Sequence, residues 1–540
     1  MRAITVLYGG SLVSEAFEPV FKGESAFSLA IKHSLAFPGC EKVVLLAKEN
    51  QPNDIDCSFL EKNRVSVIKN PVWTVSELLK TLSEASAGYD FAYYAWADSP
   101  FLDASLAGKI AERHTRFAAE YSYCDGWPDG LGPELVTSAS AGILYKIAGE
   151  DGTGPVKRDS IFTVLQKDIN SFDIETEIST VDLRHHRLSF TADSRRNLLL
   201  LERFAGVFLS DAFAENKSYA DSTAQIIEEH PEFLRTLPAF FPIQVSGPCP
   251  KNRTGSCHLC PYPLFGSRNG DISQRNDFLN PDNFSALLEK IEQFAGDGVI
   301  DLSLWGEISL HPQREELIFA VLERPALSLI VETSGYGWAG FDMAKISEKA
   351  KAAARRLNGL PALSWIISLN PADIPQSDIA GGENEAITFV KNLVSFFPKE
   401  EGMDNSVYVE AVRISGEEDT IEKFYRTWKA YSTDKRGPAV IIQKYDSYCG
   451  FLPQKQAVDL SPVQRRPCWH LMRDFPVLID GTVPLCREDL QEKSAVLGNV
   501  FHDDLENIWK RGEGAYLSHC RKDYNPDSCK VCDEYYTFNF

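Results

Sequence analysis

The chain has 540 residues, a formal net charge of −21, 44% hydrophobic and 24% charged residues. That length is too great for one hydrophobic core and predicts about three or four domains. The acidic balance argues against broad binding of nucleic-acid backbone, which needs clustered Lys and Arg, and no apolar run of about 18 residues suggests a membrane span.

The opening residues 1–17 read as a buried strand running into a loop. They lack the basic start, long apolar run and small-residue cleavage site of a signal peptide, so a cytoplasmic protein is expected. Residues 1–205 alternate strands with helices: strands at Ile4–Gly10, Lys42–Lys48 and Asp90–Trp96, helices at Ser25–Phe37 and Thr74–Ser86, the second with Thr74 as its cap. Alternation of this kind predicts an α/β sandwich with a mostly parallel sheet. Residues 206–236 read as a helical connector.

A second alternating series follows over residues 237–446. Its strands are expected at Phe241–Gly247, Val299–Glu307, Leu327–Gly335, Leu363–Asn370, Val407–Ser415 and Ala439–Asp446. Five helices lie between them. The first, Asn280–Gly296, carries Pro281 in its first turn and Phe284, Leu287, Leu288, Ile291 and Phe294 on one face. Parallel strands require such crossovers. Six β/α units are too few for a closed eight-fold barrel and suit an open, partial one. Residues 447–540 change character: they are rich in turns and carry cysteines where a core is expected, as in small segments that need a metal to fold.

Twelve cysteines stand in the chain. In a reducing compartment they are not a disulfide framework, and clustering points to metal. Cys40, Cys57 and Cys124 are scattered. Cys249, Cys257 and Cys260 follow the first strand of the second series, at the strand end where α/β folds place their sites. Three thiolates can hold three irons of a [4Fe–4S] cluster and leave the fourth iron open. The same residues could also form a structural zinc site with His258 as fourth ligand, or a cluster loop that has lost its function.

The segment resembles the radical-SAM superfamily, although the gaps between its cysteines are seven and two residues where the family usually has three and two. Trp305-Gly306-Glu307 resembles the family's Gly-Gly-Glu-Pro segment, which receives the amino group of S-adenosylmethionine, with Trp305 in place of the first Gly. Thr333-Ser334-Gly335 is similar to the family's Thr-Asn-Gly. Ser368 and Asn370, then Glu410 and Arg413, end or lie on the next two strands. The resemblance implies that Gly306, Glu307, Thr333, Ser334, Ser368, Asn370, Glu410 and Arg413 contact the cofactor.

The C-terminal segment resembles the SPASM domain. Cys468 is followed by Gly481 and, after four intervening residues, Cys486; then come Leu497-Gly498-Asn499, Ile508-Trp509 and Cys529-Lys-Val-Cys532. The resemblance implies one auxiliary [4Fe–4S] cluster on Cys468, Cys486, Cys529 and Cys532, with Cys449 and Cys520 spare and Cys520 able to exchange with Cys529. A four-cysteine zinc ribbon fits the spacing as well. Residues 1–205 resemble the nucleotidyltransferase (GT-A) fold: Tyr8-Gly9-Gly10-Ser11, Pro19-Val20 and Gly23 fall on its phosphate loop, Asp98 on its metal-binding Asp, and Asp193 with Asn197 on its closing helix start. Glu15, Ala16 and Glu18 replace the expected cations and would repel a triphosphate, which implies a degenerate domain used for binding or docking.

The whole arrangement resembles the spirochaete-type SPASM protein family. It implies a radical S-adenosylmethionine enzyme that acts on a peptide or protein, or on a nucleotide sugar, with electrons from a reductant such as flavodoxin or ferredoxin. The competing expectations are a non-catalytic iron–sulfur scaffold and an active nucleotidyltransferase with a metal-binding tail.

Overall fold

The computed structural model describes the chain except residues 50–59, 61–64, 211–212, 214–217, 248, 250–258, 262–276, 357–360, 371–383, 398–405, 433–436, 459–460, 489–495 and 537–540, and the side chains at 150, 151, 355 and 356. It forms two compact units, Met1–Thr236 and Leu237–Phe540.

The first unit is built on a seven-stranded sheet: β1 (Ala3–Gly9), β2 (Cys40–Lys48), β3 (Val65–Asn70), β4 (Phe91–Trp96), β5 (Tyr121–Asp125), β6 (Glu134–Val136) and β7 (Ile174–Ile178), in the order β3-β2-β1-β4-β6-β5-β7. β6 runs antiparallel to both its neighbours and the other pairs are parallel. Strand alternation explains the layering. Ile4, Val6 and Tyr8 face one core with Leu78, Leu79 and Leu82, whereas Ala3 and Leu7 face another with Ala30, Ile31 and Ile110. Thr74 caps its helix by accepting the Glu77 amide at 3.2 Å. The helix Tyr219–Glu229 is tied into this unit through Asp103, whose Oδ2 accepts from Ser218 Oγ at 2.8 Å and the Ala220 amide at 3.1 Å.

The second unit holds β8 (Phe240–Pro242), β9 (Gly298–Asp301), β10 (Leu327–Thr333), β11 (Leu363–Ser368), β12 (Val407–Arg413) and β13 (Ala439–Lys444), all parallel and side by side in chain order. Helices cross between successive strands; the first, Pro281–Ala295, is capped by Asn280 and buries Phe284, Leu287, Leu288 and Ile291. One face of the sheet packs on these helices through residues such as Ile300, Leu329, Val331, Trp365, Ile367 and Val409. The other face has a small apolar floor of Phe240, Val299, Ile330, Ile366, Tyr408 and Ile441.

Residues after β13 close the exposed edge. Phe475 and Val477 donate their amides to the carbonyls of Phe240 and Pro242, both at 2.8 Å, and the Gln244 amide donates to Val477 O at 2.9 Å. An unpaired edge strand is thereby covered. The hairpin of β14 (Thr482–Pro484) and β15 (Val496–Asn499) follows. Gly481 turns the chain into it at φ +82°, where a Cβ would meet the Phe501 ring at 2.4 Å.

Candidate functional site

Two residues beyond five of the six floor residues, on the same face, the side chains turn polar: Asp301, Glu332, Ser368, Glu410 and Gln443 follow Val299, Ile330, Ile366, Tyr408 and Ile441. Strand alternation thus puts an apolar floor beneath a polar belt at the carboxyl ends of the strands. Above it lies a cavity of about 260 Å³, lined by Cys249, Cys260, Gly306, Glu307, Glu332, Thr333, Ser334, Ser368, Asn370 and Glu410, and also by Lys444, Asp446, Tyr448, Arg487 and Glu534. Cys257 and His258 lie outside the described residues. Arg413 is not among the lining residues. Glu410 and Val412 face the cavity, so alternation turns Arg413 away, toward the neighbourhood of Glu418.

Glu307, 3% exposed, is committed to its own chain. Its Oε1 accepts from Thr333 Oγ1 at 2.7 Å and the Ser309 amide at 3.3 Å; its Oε2 accepts from the Ser334 amide at 2.8 Å and Ser334 Oγ at 2.6 Å. A carboxylate has about four acceptor positions, and these four donors fill them. Glu307 therefore ties the loop after β9 to the end of β10, and the backbone of that loop is left to meet a ligand. The loop is strained for close approach: Trp305 sits at φ +42° and Gly306 at φ +131°. A Cβ on Gly306 would lie 1.8 Å from the Ser246 carbonyl oxygen. Gln244 holds the turn by donating to Trp305 O at 2.9 Å while accepting the Ile479 amide at 3.2 Å.

A charged group that sequence reasoning missed sits on the cavity wall. Arg487 pairs with Glu488 at 3.0 Å, and its charge also reaches Glu332, Asp474 and Asp301. Burial pushes the Asp301 carboxyl well up, and the charge of Glu332 adds to this; burial likewise raises Glu332, against the pull of Arg487. Lys444 is paired with Asp533 at 3.1 Å and with Glu534. These acids hold its ammonium above the ordinary lysine range although burial alone would lower it.

A second, smaller cavity is lined by Cys449, Cys468, Cys486, Cys529 and Cys532, together with Arg465, His470, Glu488 and His519. Cys449, expected to be spare, belongs to this set, and Cys520 is not among the lining residues; φ values of +50° at Tyr448 and +55° at Cys449 turn the chain so that adjacent side chains diverge. The wall between the two cavities consists of chain segments whose neighbouring residues face opposite ways. Tyr448, Arg487 and Glu534 face the larger cavity, while Cys449, Cys486 and Cys532 face the smaller.

The donor set of the smaller cavity fits a thiolate-bound cluster. Arg465 supplies positive charge, held over Tyr524 at 4.2 Å and Tyr535 at 4.6 Å. His519 Nδ1 accepts the Cys468 amide at 3.3 Å, which puts the ring proton on Nε2. That buried Nε2 finds no acceptor among the described residues, and a cluster sulfur would provide one. Burial pushes the Cys468 thiol up, and neighbouring Cys532 pushes the same way, so binding iron here displaces protons. In the larger cavity, Cys249 and Cys260 beside a polar, roomy space fit a cluster with one open position.

In the first unit a cavity of about 300 Å³ is lined by Trp96, Tyr123, Trp127, Asp129, Glu134, Arg158 and Phe162, among others. Asp98, expected to hold a divalent metal, and Asp193, expected at the closing helix start, are already bridged by one arginine. Arg158 Nη2 lies 2.7 Å from Asp98 Oδ2 and 2.8 Å from Asp193 Oδ2, with its guanidinium 4.3 Å over the Trp96 ring. Asn197 donates to Asp193 Oδ1 at 2.8 Å. A guanidinium thus neutralises both acids, so these residues do not fit a metal site, and no catalytic step follows from one. Sequence inspection gave no signal for this pairing, since Arg158 and Asp98 stand 60 residues apart.

No helix among the described residues is long and apolar enough to cross a membrane. Residues 468–533 match SPASM, an iron–sulfur cluster-binding domain. Among solved structures, the chain is similar to a cytidylyltransferase from Leptospira borgpetersenii serovar Hardjo-bovis (strain JB197), with 18% identity, a TM-score of 0.35, and coverage of 43% of this chain and 95% of that one. It is also similar to BtrN in complex with AdoMet and 2-DOIA, with 16% identity, a TM-score of 0.35, and coverage of 55% and 94%. An uncharacterized protein of Treponema pallidum (strain Nichols) is 36% identical over 384 residues, which span 70% of this chain and 98% of that protein. On this extent of identity the chain belongs to the family of that treponemal protein and carries a SPASM iron–sulfur domain at its C-terminal end.

Proposed function

We propose that the second unit is a radical S-adenosylmethionine enzyme with one auxiliary [4Fe–4S] cluster. The observation that carries this reading is the pairing of two cavities: one at the carboxyl ends of six parallel strands with Cys249 and Cys260 on its wall, the other directly behind it and lined by thiols. A cluster on Cys249, Cys257 and Cys260, when bound, supplies the electron that splits S-adenosylmethionine into methionine and a 5′-deoxyadenosyl radical.

The chain's own residues do the positioning. The strained Trp305–Gly306 turn borders the cavity on the side that would receive an ammonium group, with Glu307 fixing that turn to the Thr333–Ser334 strand end. Ser368, Asn370 and Glu410 offer hydrogen-bonding groups to a ribose and a carboxylate. The apolar floor of Ile330, Ile366 and Tyr408 seals the base of the site. Lys444, Arg487 and Glu534 on the cavity wall suit a polar substrate, with a peptide or protein segment first and a nucleotide sugar second. Flavodoxin or ferredoxin is the fitting reductant class.

One observation favours a second reading. With all four acceptor positions of Glu307 taken, a non-catalytic iron–sulfur scaffold would look the same. A nucleotidyltransferase activity is disfavoured by the Arg158 bridge. Anaerobic reconstitution with iron and sulfide separates these readings. About eight irons per chain, with 5′-deoxyadenosine formed on adding reductant and S-adenosylmethionine, is the expected result. The same iron without the nucleoside selects the scaffold, and zinc without iron sinks both.

A further inference from the structure

Five thiols surround the smaller cavity, yet a single [4Fe–4S] cluster takes about four ligands. The additional one is Cys449, which lies outside the matched stretch 468–533. Its placement is built. Tyr448, Cys449 and Gly450 adopt φ of +50°, +55° and +79° in succession, a conformation that non-glycine residues hold only where surrounding contacts enforce it. Those contacts are present. Asp446 Oδ1 accepts the Tyr448 amide at 2.7 Å, Ser447 Oγ accepts the Gly450 amide at 3.3 Å, and the Leu452 amide donates to Ser447 O at 2.9 Å. The turn aims Tyr448 into the larger cavity and Cys449 into the smaller, among the four other thiols that line it.

We propose that Cys449 and Cys532 are interchangeable ligands of one iron of the auxiliary cluster. In the exchange one Fe–S(Cys) bond forms and one breaks: the Cys449 sulfur binds the iron and gives its proton to the departing Cys532 sulfur, with no change of oxidation state. Because Tyr448 and Glu534 border the larger cavity, the two ligand arrangements present different walls to whatever occupies it. The inference rests on the iron–sulfur reading of the smaller cavity and is independent of radical chemistry in the larger one.

The test uses the full chain with Cys249, Cys257 and Cys260 replaced by Ala, so that iron content reports the auxiliary site alone. After anaerobic reconstitution this background should hold about four irons per chain. Adding Cys449→Ala or Cys532→Ala singly should retain that load, with different EPR spectra of the reduced cluster in the two variants, and the double variant should lose it. Cys468→Ala should lose it outright. Where an alanine variant fails to fold, the serine variant is read instead, since a hydroxyl is a far poorer iron ligand at the same volume. If Cys532→Ala alone empties the site, Cys449 is a packing thiol; if Cys449→Ala alone empties it, Cys449 is an obligatory ligand. Either result overturns exchange. A background that holds no iron at all overturns the iron–sulfur reading itself.

Discussion

Gly306 and Gly340 both sit at positive φ, yet only Gly306 is crowded: a Cβ there would lie 1.8 Å from Ser246 O, whereas at Gly340 nothing lies within 4 Å. Gly306→Ala is therefore expected to cost about 1–3 kcal/mol more than Gly340→Ala, read as the difference in urea midpoints. Equal costs would show that the close approach of the two loops is not maintained. Burial raises the Glu134 carboxyl from its ordinary 4.5 to about 7, against the hydrogen bond it accepts from Tyr121 Oη. The folded chain then keeps a proton that the unfolded chain has already lost. The contribution is favourable below pH 4.5 and disappears as pH rises to about 7. Stability should fall across that window by at most about 3 kcal/mol, and Glu134→Gln should flatten the slope; an unchanged slope would contradict the assignment. At this scale Ser368, Asn370 and Glu410 were legible because a strand end names its own residues. Arg158, Arg487 and the role of Cys449 were not, because each is defined by partners far along the chain.

The elements of the second unit were legible because buried parallel strands read as short apolar runs between amphipathic helices. Their ends were less so. β8 stops at Pro242 and β9 at Asp301, whereas the apolar pattern continues to Gly247 and Glu307, because the chain leaves the sheet to build the cavity rim. The covering of the β8 edge by residues 473–477 had no pattern of its own in the sequence, since two or three backbone hydrogen bonds leave no periodicity to read. Val477→Pro removes the amide that bonds Pro242 O at 2.8 Å. A loss of about 3 kcal/mol and faster limited proteolysis of the C-terminal segment are expected. Proteolysis at the parental rate would mean that this pairing does not anchor the segment.

Across the whole molecule, the two units differ in what they can hold. The first is a seven-stranded α/β sandwich whose Asp98 and Asp193 are bridged by Arg158. Wild-type protein is accordingly expected to show no change of melting temperature with magnesium or manganese, and Arg158→Ala, which frees Asp98 and Asp193, to gain a metal-dependent increase. Metal-dependent stabilisation of the wild type would contradict the bridge.

The second unit carries Cys249 and Cys260 on the wall of one cavity and five thiols around another, and the proposed function requires that an iron bound at the first position remain open to a ligand. EPR of the reduced chain with Cys468, Cys486, Cys529, Cys532 and Cys449 replaced by Ala isolates that first cluster. The account predicts that adding S-adenosylmethionine shifts its g values; a spectrum that is identical with and without the cofactor would contradict it.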